Sequence, residues 1–254
     1  MPATTASIAG AAKPISPGAD GPRGGEGGDA LSGGCGVGRL DGGGGNDRLS
    51  GDAGADLMTG RGGNDVYVRD DPGDRIVEAA GGGRDLVRSG LATALPAHVE
   101  MLVLTGAADV AGTGNGLANR LTGNAGDNRL AGGGGADVIA GRDGNDVLVG
   151  GDGADRFLFD VAPGPGNTDR IADFRPNLDR ILLEDSVFRG IGKTLAPGAF
   201  FRGAAAHDAD DRIVYDPATG VLLHDANGNR PGGAATIAIL DRGLGLDAGD
   251  FLMV

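Results

Sequence analysis

Residues 24–68 read GGEGGDALS-GGCGVGRLD-GGGGNDRLS-GDAGADLMT-GRGGNDVYV, which is five consecutive nonapeptides with no residue between them. A second run, at residues 114–158, reads GNGLANRLT-GNAGDNRLA-GGGGADVIA-GRDGNDVLV-GGDGADRFL. All ten nonapeptides begin with glycine and carry a large, mainly apolar residue at position eight. Position six is aspartate except at Gly38, Asn119 and Asn128. A fixed period of nine residues predicts a solenoid built from short repeats.

The pattern within one nonapeptide predicts a turn followed by a short strand. Glycine is typical of turn positions that need a positive φ or the close approach of another backbone. The last three positions are extended, so the apolar residue at position eight points to one face. One nonapeptide is then half a turn of a flattened coil, with the position-eight residues inside. Such a ladder is too thin to offset, by apolar burial alone, the entropy lost on folding.

The position-six aspartates supply the stabilisation that the ladder lacks. Each turn offers one carboxylate and several backbone carbonyl groups, and turns two repeats apart stack along the same edge. A cation between them would meet only oxygen ligands, which is the ligand set of calcium, since magnesium requires stricter octahedral geometry and zinc favours Cys or His. Stacked carboxylates repel each other without the ion, so we expect metal binding to drive folding.

Pairing between turns two repeats apart ranks the predicted calcium sites. Asp47 pairs with Asp29 and with Asp65, and Asp137 pairs with Asp155, so each of these sites has two carboxylates. Weaker or degenerate sites are expected for the pairs Asp56 with Gly38, Asp56 with Asp74, Asn119 with Asp137 and Asn128 with Asp146.

The predicted metal-binding residues include the turn glycines, Asp169 in the imperfect repeat at 164–172 that ends the second array, and Asp173 directly after it. They are Gly24, Gly25, Gly27, Asp29, Gly42, Gly43, Gly45, Asp47, Gly51, Gly54, Asp56, Gly60, Gly63, Asp65, Asp74, Asn119, Asn128, Gly132, Gly133, Gly135, Asp137, Gly141, Gly144, Asp146, Gly150, Gly151, Gly153, Asp155, Asp169 and Asp173.

These nonapeptides resemble those of the haemolysin-type, or RTX, calcium-binding proteins that Gram-negative bacteria export by the type I pathway. The resemblance implies an all-β fold, a right-handed parallel β-roll (β-solenoid) of GGxGxDxUx nonapeptides, with several Ca2+ ions between its turns. Residues 159–254 contain less glycine and more Phe, Ile and Leu, and they resemble the C-terminal segment of serralysin-type and other RTX proteins. That likeness implies a β-rich cap that carries an uncleaved secretion signal.

The expected organisation has five parts. The connector between the arrays contains short β-rich runs such as VEMLVLTG and is interpreted as degenerate roll turns, with a flexible linker as the alternative. Near the C-terminus, the runs DRIVYD and VLLHD flank PATG and predict a β-hairpin. The parts are a disordered N-terminal lead at 1–23, a first array at 24–68, the connector at 69–113, a second array at 114–172 and the cap and secretion-signal region at 173–254.

Net charge, hydropathy and cysteine content limit the classes of partner and the cellular location that we expect for this protein. The formal net charge of −13 excludes a nucleic-acid binder, which needs a basic face. No apolar stretch is long enough for a transmembrane helix, and the N-terminus lacks the cationic region of a Sec signal peptide. The single cysteine, Cys35, forms no intramolecular disulfide. With the resemblance, these features predict a secreted, extracellular protein whose partners are calcium ions and, during export, the type I secretion machinery.

The leading functional hypothesis is a secreted calcium-binding β-roll that folds on meeting extracellular Ca2+ and has no catalytic activity. The sequence contains neither HExxH nor GxSxG, the motifs of zinc proteases and serine hydrolases. One alternative is a stand-alone or truncated tail of an RTX enzyme, either a protease, a lipase or an epimerase. Another is a calcium-dependent adhesin or surface-layer component with a cell-surface or polysaccharide target.

Overall fold

The computed structural model describes residues 21–254 and is all-β, with two short 3-10 helices at Pro197–Ala199 and Ala248–Asp250. Most of the predicted N-terminal lead, residues 1–20, lies outside the described residues. The chain forms two compact units that divide between Val103 and Leu104, inside the predicted connector. The first unit contains β1 (Arg23–Glu26), β2 (Ala30–Ser32), β3 (Arg39–Gly44), β4 (Arg48–Ser50), β5 (Leu57–Gly62), β6 (Val66–Arg69), β7 (Arg75–Val77), β8 (Leu86–Ser89), β9 (Thr93–Ala94) and β10 (Met101–Leu104), whose last residue begins the second unit.

The second unit continues with strands of similar length. They are β11 (Ala111–Thr113), β12 (Arg120–Thr122), β13 (Arg129–Gly134), β14 (Val138–Ala140), β15 (Val147–Asp152), β16 (Arg156–Phe159), β17 (Asp169–Ile171), β18 (Arg180–Leu183), β19 (Phe200–Arg202), β20 (Ile213–Tyr215), β21 (Val221–Asp225), β22 (Ala234–Ile239) and β23 (Phe251–Met253).

Strands of the first unit alternate between two sheets, ordered β1-β3-β5-β7 and β2-β4-β6-β8-β10. Neighbouring strands pair in parallel from β1 to β8. Leu40 pairs with Met58 and Leu49 with Tyr67, so each strand lies over the strand two nonapeptides later. The unit is therefore a parallel β-solenoid with two nonapeptides per turn, which confirms the predicted fold class.

The second unit repeats this arrangement in its array. Its sheets are ordered β12-β14-β16-β18-β23 and β11-β13-β15-β17-β22-β21-β20-β19. Leu130 pairs with Leu148 and Ile139 with Phe157, again two nonapeptides apart. The register lengthens after the array, where Leu148 pairs with Ile171. Turns of different length therefore continue the same two sheets.

Position-eight side chains form the core of each solenoid, as the repeat predicts. Nine of these ten side chains are completely buried, and Leu31 in β2 is half-buried. In a strand, alternate residues face opposite sides, so this one position per nonapeptide fills the interior. The completely buried residues are Leu40, Leu49, Met58, Tyr67, Leu121, Leu130, Ile139, Leu148 and Phe157.

The C-terminal strands extend the second unit with mixed pairing. Strands β20 and β21 form the predicted antiparallel hairpin, in which Tyr215 pairs with Leu222. Strand β22 then runs antiparallel to β21 and parallel to β17, and β23 runs parallel to β18. Neither short helix in residues 21–254 is long and apolar enough to cross a membrane.

Candidate metal centre

The position-six residues are linked from turn to turn by hydrogen bonds. The backbone N–H of Asp29 donates to Oδ1 of Asp47 at 2.8 Å, and that of Asp47 donates to Oδ1 of Asp65 at 2.8 Å. In the second array, the N–H of Asp137 donates to Oδ1 of Asp155 at 3.0 Å. The structure therefore brings together the three pairs that the sequence predicts to have two carboxylates.

The predicted weaker pairs are brought together by the same type of bond. In each, the position-six N–H of one turn donates to a carboxylate of the next turn. The bonds run from Gly38 to Asp56 (2.5 Å), Asp56 to Asp74 (3.0 Å), Asn119 to Asp137 (2.7 Å) and Asn128 to Asp146 (2.6 Å). The same type of bond joins Asp146 to Asp169 (3.0 Å), a pair that the sequence analysis did not name.

The turns fall into two classes according to the hydrogen bonds that the position-six side chain accepts from its own turn. In the larger class, Oδ2 is buried and has no hydrogen-bond donor. Burying an oxygen acceptor without a partner is unfavourable, and more so when it carries a negative charge. Within residues 21–254, the aspartates with such an Oδ2 are Asp29, Asp47, Asp56, Asp65, Asp85, Asp137, Asp146 and Asp155.

A positive φ precedes every aspartate of this class by four residues. Glycine holds the position before five of them, but Asp52 (59°), Arg61 (77°) and Arg142 (81°) adopt the same left-handed conformation without being glycine. Non-glycine residues rarely do so, and such strain concentrates at functional sites. The glycines of the set are Gly25, Gly43, Gly81, Gly133 and Gly151.

In the smaller class, the residue four positions earlier donates its own N–H to the side chain. Asn115 donates to Oδ1 of Asn119 at 2.7 Å, and Asn124 donates to Oδ1 of Asn128 at 2.8 Å. Oδ2 of Asp74 likewise accepts the N–H groups of the residues three and four positions before it. These three predicted ligands therefore lie in turns closed by backbone hydrogen bonds.

The glycine at position one leaves space for the carboxylate. A Cβ atom built on Gly132 would collide with Oδ2 of Asp137 and lie 2.6 Å from the carbonyl oxygen of Gly150, one turn later. The same overlap with the carboxylate of its own repeat occurs at Gly42 and Gly141. A side chain at position one would fill a space on which carboxylate and carbonyl oxygens converge. We call this space the oxygen cradle.

At the end of the second array, an arginine places a positive charge among the oxygens of a turn. Nη2 of Arg175 donates to the carbonyl oxygens of Gly151 at 2.7 Å and Gly153 at 2.6 Å. The same nitrogen lies 3.5 Å from Oδ2 of Asp155, and Nε lies 3.5 Å from Oδ2 of Asp179. Carbonyls at positions two and four and the carboxylate at position six therefore surround one positive charge.

Burial raises the pKa of many of these carboxyl groups because the turns remove them from water. The pKa of Asp65, Asp137 and Asp146 rises from 3.8 to about 6. That of Asp169 rises to about 8, first because of burial and then because of the neighbouring Asp146 carboxylate. The ionised carboxylates are thus poorly compensated by their hydrogen bonds, and a cation in the cradle would compensate them.

The donor set of the cradle fits calcium. It consists of carboxylate and backbone carbonyl oxygens, which calcium binds in variable geometry and without the strict octahedron that magnesium requires. The larger-class aspartates other than Asp155, whose Oδ2 lies near the guanidinium of Arg175, are the residues that would hold the ions. Asp173 acts differently, because its carboxylate accepts the N–H groups of Gly150 and Gly151 at 2.9 and 2.8 Å.

The sequence analysis missed Asp85 and Asp179, which continue the two rows of carboxylates. Asp85 accepts the N–H of Asp65 at 2.8 Å, and Asp179 accepts that of Asp155 at 3.0 Å. Both lie outside the regular spacing, 20 and 24 residues after their partners. Their signal is an aspartate two residues before a buried apolar residue, Val87 or Ile181.

A separate group lies in the C-terminal region. Ligand atoms of His207, Asp208 and Asp211 lie within 4.8 Å of one another, although His207 is exposed. Nδ1 of His207 lies 2.7 Å from Oδ2 of Asp211, and this hydrogen bond raises the pKa of the imidazole. Because both ring nitrogens face carboxylates, the group is an ion-paired turn in this structure.

Comparison with protein families gives an independent result. The family model of the RTX calcium-binding nonapeptide repeat, which spans four copies, matches residues 36–67, 113–148 and 122–157. The matched ranges cover residues 36–67 of the first array and nearly all of the nonapeptides at 114–158. No curated protein matches the chain. The chain therefore contains two arrays of RTX-type calcium-binding nonapeptide repeats.

Proposed function

We propose that this protein is a non-catalytic, secreted β-roll that becomes ordered when it binds extracellular calcium. The observation that carries the proposal is the set of eight buried Oδ2 atoms that have no hydrogen-bond donor. Each belongs to a turn with a positive φ four residues earlier. Conformation and charge therefore favour the same ligand, a cation with several oxygen ligands.

The coupling of folding to calcium follows from the balance of forces in the repeats. The interior contains one large side chain per nonapeptide, while burial raises the pKa of the carboxyl groups around it. Uncompensated carboxylates destabilise the compact state at neutral pH. A ligand that binds only the folded turns adds its binding free energy to the stability of the fold.

Calcium concentration and the repeat family support an extracellular role. RTX repeats typically occur in secreted proteins. Extracellular calcium-binding modules work at about 10⁻⁴–10⁻³ M, so a roll tuned to that range would stay unfolded before export and fold after it. In this proposal the type I machinery exports the chain, and residues 173–254 provide the cap and the uncleaved signal.

Circular dichroism and direct ion counting test the proposal together. We expect the full chain to gain far-ultraviolet β signal and protease resistance when millimolar calcium replaces a chelator. Equilibrium dialysis should show several bound calcium ions per chain, with magnesium giving neither effect at the same concentration. A chain that is equally structured and protease-resistant in chelator would overturn the folding claim.

A further inference from the structure

One turn of the first unit contains a third buried acid that the repeat pattern does not supply. Glu78 follows β7 in the degenerate stretch after the first array and is 9 % exposed. Its carboxylate and those of Asp65 and Asp85 each offer an oxygen, and the three atoms lie within 4.8 Å of one another. The turn therefore gathers three carboxylates, whereas the regular turns pair two.

The oxygens of Asp65 and Glu78 lie beside Gly60, together with the hydroxyl of Tyr67. A Cβ atom built there would collide with Oδ2 of Asp65 and lie 2.5 Å from Oε1 of Glu78. Oδ2 of Asp65 is buried without a donor, in a side chain that is 1 % exposed, and it therefore points into the cluster. Oδ2 of Asp85 is also buried without a donor. Two unpartnered oxygens in one acidic cluster indicate a site for a cation.

Tyr67 holds the third carboxylate in place. This tyrosine occupies position eight of the last nonapeptide of the first array, where its ring is fully buried and its hydroxyl donates to Oε1 of Glu78. The backbone N–H of Ala79 donates to Oε2 of Glu78 at 3.1 Å. Both contacts fix the direction of the carboxylate, so Tyr67 is a positioning residue for the cluster.

We propose that Asp65, Glu78 and Asp85 form a tricarboxylate calcium site that binds more tightly than the regular turns and fills first. The inference rests on the proposed calcium-binding function. Calcium affinity rises with the number of charged ligands in a site. Three carboxylates also place more negative charge around the ion than the pairs elsewhere in the roll, so a hard cation is attracted here most strongly.

Terbium luminescence tests this site because of where the tyrosines lie. Tb3+ takes the oxygen ligands of calcium, and its emission is sensitised by a phenol ring close to the ion. The chain contains two tyrosines and no tryptophan. Tyr67 contacts the proposed site, while the hydroxyl of Tyr215 donates to the carbonyl of Asp241 in the second unit. Excitation of tyrosine should therefore report this one site.

We expect sensitised emission from the full chain to saturate at about one equivalent of Tb3+, before the remaining sites fill. Glu78→Gln should raise the Tb3+ concentration at half-saturation, and the calcium concentration that displaces Tb3+, by about tenfold or more. Tyr67→Phe should remove the emission while the calcium-bound circular dichroism is retained. Glu26→Gln, which removes an exposed carboxylate from β1, and Tyr215→Phe should both titrate like the unaltered chain.

The results distinguish this inference from the general function. If calcium orders the unaltered chain and Glu78→Gln leaves both titrations unchanged, the tricarboxylate site is wrong and the calcium-binding role stands. Emission that grows evenly with every ion bound, or that persists in Tyr67→Phe, would also overturn the inference. If no variant binds calcium, the proposed function itself fails.

Discussion

Replacing Asp137 by asparagine should change stability in opposite directions with and without calcium. Asp137 is fully buried, and its Oδ1 accepts the N–H of Asn119 at 2.7 Å. Its Oδ2 is buried without a donor beside Gly132, facing the carbonyl of Gly150. Asn keeps one acceptor oxygen and the shape of the side chain, but it removes the charge and can donate from its amide to that carbonyl.

The size of each effect follows from simple electrostatics. Two unit charges 4 Å apart attract by about 1 kcal/mol in water, so a carboxylate attracts a divalent ion by about 2 kcal/mol, and by more at lower dielectric constant. Losing that attraction weakens calcium binding by about thirtyfold or more. Without calcium, the rise in the pKa of Asp137 from 3.8 to about 6 corresponds to a penalty of at most about 3 kcal/mol at pH 7, which asparagine removes.

Thermal unfolding followed by circular dichroism measures both effects. We expect Asp137→Asn to have a lower midpoint than the unaltered chain in millimolar calcium and a stronger β signal in chelator. Asp127→Asn is the matched control, because Asp127 lies in the neighbouring nonapeptide, is exposed and accepts the N–H of Asn145 at 2.8 Å. A loss of stability in both conditions, or a result equal to that of the control, would refute the electrostatic reasoning.

Three further changes test other parts of the site. Gly132→Ala should raise the calcium concentration needed for folding, because its Cβ fills the oxygen cradle. The control Gly134→Ala should not, since its Cβ meets only a backbone carbon at 3.8 Å. Equal calcium titrations of the two variants would contradict this prediction. Arg175→Met removes the guanidinium from the carbonyls of the last turn of the second array, so the chain should bind one more calcium ion by equilibrium dialysis. An unchanged count would show that Arg175 does not occupy a cation site. Between pH 4 and pH 6, carboxyl groups whose pKa is raised from 3.8 to about 6 bind more protons in the folded state than in the unfolded state. The calcium-free chain should therefore lose β signal as the pH rises from 4 to 7. A β signal that grows with pH over this range would contradict the raised pKa values.

The regular part of the fold could be predicted from the sequence because local and long-range requirements share one period. Leu40, Met58 and Leu130 recur with the turn glycines, so the same spacing sets the conformation of each turn, the strand register and the core. The pairing of Asp47 with Asp29 and Asp65 follows from that register alone.

The irregular turns could not be predicted in the same way. Asp85 and Asp179 return to register after loops of different length, and a loop can change length at little entropic cost provided that its ends meet the same strands. Glu78 and Arg175 act through three-dimensional proximity, which no period encodes. A search for aspartate two residues before an apolar residue would have found the first pair and missed the second.

The turns of the two solenoids solve one electrostatic problem in three ways. A buried carboxylate or amide at position six needs positive partners on its second side. At Asp137 the positive φ of Gly133 accompanies an open cradle that calcium can fill. At Asn128 the N–H of Asn124 supplies the partner, and the side chain is already neutral.

The third solution is the guanidinium of Arg175, which contacts two carbonyls and lies near two carboxylates at the end of the second array. Calcium dependence should therefore vary along the chain. Turns whose Oδ2 has neither a hydrogen-bond donor nor a nearby guanidinium need the ion, whereas turns with an N–H or a guanidinium partner are neutralised by the chain itself. The two self-neutralised kinds lie on either side of the open cradles of the second array, so those cradles are held between turns that do not require calcium to form.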